Sequence, residues 1–175
     1  VRNVTEKQNI VTGAGDQDVL GLARLGGQSC VQVFFVRSGK MVGRDHFLLN
    51  GGEAEEDCDI LGAFVKQYYN EASFVPREIL TPLELPEPEL LMRWLADLKT
   101  AAVQLATPKR GTRRELVELA SANAAEVLRQ RSERELDKAM KRQEALQELA
   151  DRLELDVFPK RIECFDISHI QGAET

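Results

Sequence analysis

Cysteine is scarce in this chain. There are three in 175 residues, Cys30, Cys58 and Cys164, odd in number and far apart. No CxxC pair occurs, which argues against a zinc ribbon or finger. Buried, reduced thiols are the expected state. With two histidines in all, no His/Cys cluster has metal-ligand spacing. No GxGxxG, Walker or GxSxG pattern is present, which removes the usual signatures of dinucleotide folds, phosphate loops and serine hydrolases. No apolar run is long enough to span a bilayer and no secretory signal is legible, so a cytoplasmic protein without membrane contact is expected. The formal net charge of -6 excludes a general polyanion binder, and any nucleic-acid contact has to come from a local patch. What is there suffices for a core: 43% of residues are hydrophobic, and the length allows one domain with a helical appendage.

Thr12-Gly13-Ala14-Gly15-Asp16 is turn-rich and reads as a linker. Val19 to Ala23 is a short apolar run closed by Gly26-Gly27. Cys30 to Arg37 is a strong strand, apolar on both faces and therefore central. Ser38-Gly39 makes a tight turn into a return strand from Met41 to Leu49, interrupted by Arg44, Asp45 and His46. The period then changes. Glu53, Glu55, Glu56 and Asp57 crowd a helix start, where the macrodipole favours anions, and Ile60, Leu61, Phe64, Val65 and Tyr68 recur at helical spacing. Glu78 to Leu80 is a short strand. Pro88 suits the first turn of a helix whose apolar face is Leu90, Leu91, Trp94, Leu95 and Leu98. Ala102 to Ala106 is another short strand. Thr112 with Glu115 has the capping-box pattern, ahead of a face formed by Leu116, Leu119, Ala120, Asn123, Val127 and Leu128. Residues 112–154 read as one long helix or a helix pair. Their charged middle reads as a solvated face.

The order β-β-β-α-β-α-β-α is that of an α/β RNase H-like fold, which by itself implies no activity. An active version needs an acid in the middle of the first strand. Leu20, Gly21 and Leu22 stand there, with Asp16 and Asp18 only at the entrance. Residues 13–154 are therefore expected to form a degenerate, non-catalytic RNase H-like domain with a long helical extension.

The most informative segment lies at Arg161–Gly172. It reads as a buried strand, with Ile162, Cys164, Asp166 and Ser168 on one face. A carboxylate beside apolar neighbours is costly to bury. The residues leave two readings open: Asp166 holds a divalent cation, or it faces water or pairs with Arg161 or Lys160. His169 falls on the opposite face and reads as a packed or surface histidine. His46, beside Asp45, reads as a hydrogen-bonded strand histidine.

The run Glu163-Cys164-Phe165-Asp166-Ile167-Ser168-His169, followed by Gly172, resembles the ECFDISH-x-x-G signature of the UvrC family, nuclease subunits of the bacterial UvrABC excision-repair system. Further motifs resemble that family in the same order: Val4–Gln8, Ser29–Lys40, Arg44–Phe47, Gln67–Tyr69, Pro76–Leu80 and Lys109–Gly111. Several separate motifs in order are more specific than one. The resemblance implies that residues 1–12 end a UvrB-binding helical motif. It also implies that residues 155–175 begin an RNase H-like endonuclease domain, with Asp166 as a catalytic ligand for Mg2+ or Mn2+. UvrB and damaged double-stranded DNA are the implied partners. The chain starts without Met and stops shortly after Gly172, so it is expected to be an excerpt of a longer protein, inactive alone.

Lys109, Arg110, Arg113 and Arg114 form the dense basic cluster, ahead of a helix N-terminus whose amides can bind phosphate. A DNA-backbone contact and a solvated loop both fit the spacing. Phe34, Phe35, Tyr68, Tyr69 and Trp94 have core periodicity and read as packing residues rather than stacking platforms. A second hypothesis, of another class, is a non-catalytic interaction module on the same scaffold, with the charged helix as its partner-binding part.

Overall fold

The computed structural model describes residues 15–50 and 54–165. They fall into two compact units, one up to Arg131 and one from Ser132 onward. The first is an α/β domain. Its sheet contains β1 (Gln17–Leu25), β2 (Gln28–Arg37), β3 (Lys40–Asn50), β4 (Glu78–Leu80) and β5 (Gln104–Ala106). Its helices are α1 (Asp57–Glu71), α2 (Pro88–Lys99) and the start of α3 (Thr112–Arg152). The strand order is β3-β2-β1-β4-β5. β1, β2 and β3 pair antiparallel, and β4 and β5 run parallel to β1.

Both hairpins turn on two residues at positive φ, Gly26 (54°) with Gly27 (75°) and Ser38 (51°) with Gly39 (74°). This is the type I′ geometry whose twist matches the flanking strands. β1 is longer than its apolar run. Gln17 and Asp18 pair with Val36 and Phe35 on one side and with Glu78 and Ile79 on the other. Asp18, the second residue of β1, is therefore flanked by strands on both sides and 1% exposed.

Strand alternation splits the core in two. On one face Leu20, Val31, Val33 and Ile79 meet Leu61, Phe64, Val65 and Tyr69 of α1 and Leu91 and Leu95 of α2. On the other, Val19, Phe34, Val36 and Leu80 meet Leu116, Val117 and Ala120 of α3. Further along the same face, Cys30 packs with Ala124 and Leu128. Burial pushes the Cys30 thiol up to about 11, as an apolar setting disfavours a thiolate.

The helix faces are narrower than the periodicity predicts. Leu90 and Leu98 of α2 and Leu119 of α3 are exposed. On α3 the buried stripe is Leu116, Ala120, Ala124 and Leu128, spaced by four, with small residues at its centre. The reason is close approach. A Cβ on Gly21 would lie 2.2 Å from the backbone of Ala120 and Ser121. Thr112 is already inside α3, and the Gly111 carbonyl accepts from the Arg114 and Glu115 amides, so Gly111 caps the helix where a Thr112 capping box was expected.

α3 is one continuous helix to Arg152, which decides between the long helix and the helix pair. In the unit from Ser132 onward, Lys141 pairs with Asp137 and Arg152 with Glu148, each four residues apart. Such pairs support a helix by a few tenths of a kcal/mol each. It ends with Glu154 at φ 50°, and the Leu155 amide donates to the Ala150 carbonyl, the bonding of a Schellman cap. No described helix is long and apolar enough to cross a membrane.

The expected strand from Arg161 does not form within the described residues. Residues 161–165 have no ladder partner there, and Ile162 and Phe165 are 64% and 84% exposed. An unpaired strand leaves its amides and carbonyls unsatisfied and does not hold by itself. Residues 1–12, Asp166 and His169 lie outside the described residues.

Replacing Gly21 with Ala is expected to destabilise the domain by at least about 2 kcal/mol, because strand and helix backbones have to separate. Urea unfolding measures this, and a midpoint equal to wild type would refute the close-approach account.

Candidate functional site

At the start of β1 the sheet gathers an unusual set of polar groups. Asp18 shares the α1 face with Leu20. Its Oδ2 accepts from the Tyr69 hydroxyl at 2.8 Å, and its Oδ1 accepts from Arg37 Nη1, also at 2.8 Å. The same Nη1 donates to the carbonyls of Gln17 and Val36. Removal from water raises the Asp18 pKa above its ordinary 3.8, and the donors from Tyr69 and Arg37 offset only part of that. Burial and the neighbouring Asp18 push the Tyr69 hydroxyl well up, so it stays a neutral donor. The sequence signal for Asp18 was a carboxylate in register with Leu20 and Leu22. Taking β1 to begin at Val19 hid it.

Around this cluster lies a cleft of about 830 Å³. Phe47, Phe64 and Tyr68 form its aromatic wall, with ring centroids 5.2–5.5 Å apart. Phe74 sits over the Arg37 guanidinium at 4.6 Å and is 46% exposed. His46 lines the cleft too. Asp45 Oδ1 accepts from the backbone amide of His46, not from its ring. Phe34 and Tyr69 are buried, as the periodicity implied, while Phe35, Tyr68 and Trp94 are half-buried.

On the α3 face, Gln17 donates to Glu78 at 2.6 Å, and Glu78 accepts from Arg113 at 2.9 Å. Arg113 is thus drawn out of the basic cluster into a partly buried ion pair. Arg114 pairs with Glu118 on its own helix. Lys109 and Arg110 are exposed. The four basic residues adjoin in sequence, but the fold divides their tasks.

These groups do not suit a divalent cation. Both Asp18 oxygens are taken by donors, one of them cationic, and Asp16 Oδ1 accepts from the Ser38 amide. Among the described residues no three His, Cys, Asp or Glu side chains come together as a metal site.

Three antiparallel strands, then two parallel ones, with α1 and α2 on one face and α3 on the other, define an RNase H-like domain. The UvrC ribonuclease H-like domain model matches residues 16–131. The chain belongs to that UvrC family. It is 46% identical over 99% of its length to UvrABC system protein C of Symbiobacterium thermophilum and 38% identical over 99% to that of Acetivibrio thermocellus, covering 28% of each. Clostridioides difficile has a relative of the same name at 40% identity. The chain spans little more than a quarter of the length of these curated relatives. Among solved structures, ribonuclease H2 from Pyrococcus horikoshii OT3 aligns at TM-score 0.43 and 14% identity, over 81% of this chain and 90% of that one.

Because the folded-state pKa of Asp18 lies above the ordinary value, the folded domain holds this proton over a window in which the unfolded chain has lost it. The stability this provides is full below 3.8 and is lost as pH rises through the folded value. The isosteric Asp18→Asn variant lacks this dependence. Urea midpoints over the mildly acid range should show the variant gaining on wild type as pH rises. A constant difference would contradict the assigned shift.

Proposed function

We propose that this chain is a central segment of an excision-repair nuclease subunit that works with UvrB in the cytoplasm and incises damaged double-stranded DNA on both sides of a lesion. The observation that carries this reading is the similarity to UvrABC system protein C along 99% of the chain. Within such a subunit, residues 16–131 position rather than cut. That role is favoured by Asp18, whose carboxylate is committed to Arg37 and Tyr69. As a non-catalytic scaffold the domain still offers surfaces to DNA or protein.

Asp166 is the proposed catalytic residue of the longer protein. It would help hold Mg2+ or Mn2+, and such a cation supplies an activated water and charge stabilisation for phosphodiester hydrolysis. One carboxylate does not complete such a site, so this chain alone is expected to be inactive. In the longer protein, Asp166→Ala should abolish metal-dependent 5′ incision of UvrB-bound damaged DNA while the circular dichroism spectrum is retained. Undiminished 5′ incision would end the assignment.

Lys109 and Arg110, with Arg114 beside them, are the proposed phosphate contacts. Changing Lys109 and Arg110 to Ala should weaken DNA binding and reduce the salt slope by about 1.8, near 0.9 for each phosphate no longer neutralised, with the unfolding midpoint unchanged. Changing Arg113 to Ala should instead lower stability, since Glu78 loses its cation. A wild-type salt slope in the double variant would remove the phosphate contacts.

A further inference from the structure

We infer that the cleft beside Phe74 takes one unpaired nucleobase of a DNA strand, anchored on Arg37. The inference rests on reading the chain as part of a DNA-handling protein, and it adds a site which that reading does not supply. Three observations point to it.

The first is Arg37 itself. Its Nη1 serves three acceptors, the Asp18 carboxylate and the carbonyls of Gln17 and Val36. Its Nε and Nη2 have no protein acceptor among the described residues, and a quarter of the side chain is exposed. The Nε and Nη2 edge of a guanidinium is a two-donor fork that suits a pair of adjacent acceptors on a planar group, such as N7 and O6 of guanine.

The second is Phe74. Phe47, Phe64 and Tyr68 pack against one another, and the half-buried Phe35 ring lies farther from the guanidinium, at 5.9 Å. Phe74 instead lies on the Arg37 guanidinium and keeps almost half its surface open. An exposed ring stacked on a cation is a platform for a further π-face. Asp18, held by Tyr69, fixes the guanidinium, so Arg37 is already ordered before a ligand arrives.

The third is the balance of charge and space. The cleft volume of about 830 Å³ is ample for a base, and Gln67 and Glu71 are among its lining residues. Asp18 and Glu71 on the lining disfavour a free phosphate there, whereas a neutral base carries no charge to repel.

Fluorescence anisotropy with the intact chain tests the site. The probes are a short labelled single strand of deoxyguanosine and thymidine residues and a strand of equal length built from abasic residues. Wild type should bind the base-bearing strand on the order of tenfold more tightly. Phe74→Ala should erase that difference, leaving abasic-strand binding and the thermal midpoint unchanged, and Phe74→Trp should keep it. Equal affinity of wild type for both strands, or a base preference that survives Phe74→Ala, overturns the proposal. No cutting and no cation enter this assay, so its failure leaves the incision reading standing, and loss of the incision reading does not change its readout.

Discussion

The domain depends on how closely α3 lies on β1. At Gly21 the helix backbone occupies the space where any Cβ would be, and Ala120 and Ala124 keep the facing stripe small. That approach brings Val19, Phe34, Val36 and Leu80 under Leu116 and Val117. It also sets Arg113, in the first turn of α3, against Glu78. Interiors at crystal-like density have little room to adjust, so a glycine at this point determines where the helix can sit. The packing of one sheet face and the partly buried ion pair beside it follow from that placement.

The opposite face is organised by a different compromise. Asp18 and Arg37, with the neutral Tyr69 hydroxyl, bring charge into an otherwise apolar layer. Two buried charges seldom improve stability over well-packed apolar groups, because desolvation offsets their attraction. Their retention makes sense if a fixed guanidinium edge is useful beside the aromatic wall. Structural and recognition roles are not separable here, since the carboxylate that tames the cation also orients it.

Much of this was legible from residue order. Val- and Phe-rich β2, the two-residue turn at Ser38, Pro88 at the start of α2 and the succession of strands and helices along the chain all follow from local chemistry. So does the family, through motifs spread along the chain. What escaped the sequence depended on tertiary approach. The length of β1 is set by its pairing with Phe35 and Ile79 on either side, not by its own hydrophobicity. The burial of Ala124 in place of Leu119 depends on how closely the helix sits. The partition of Lys109, Arg110, Arg113 and Arg114 requires knowing that Glu78, thirty-five residues earlier than Arg113, lies under the helix start. The strand reading of Arg161–Gly172 rested on alternation, but its described part, residues 161–165, is exposed and unpaired, and periodicity carries no information about a neighbouring strand.

β3 shows what its broken pattern achieves. It is an edge strand of eleven residues, and a long, regular edge is a template for adding foreign strands. Val42 is the extra residue of a bulge opposite Phe35 and Val36, and Arg44, Asp45 and His46 follow it on the exposed stretch. Kink and polar run together make the rim uninviting to a second copy. The interruption that weakens the strand signal in the sequence thus makes the longer edge of the sheet a poor template for a further strand.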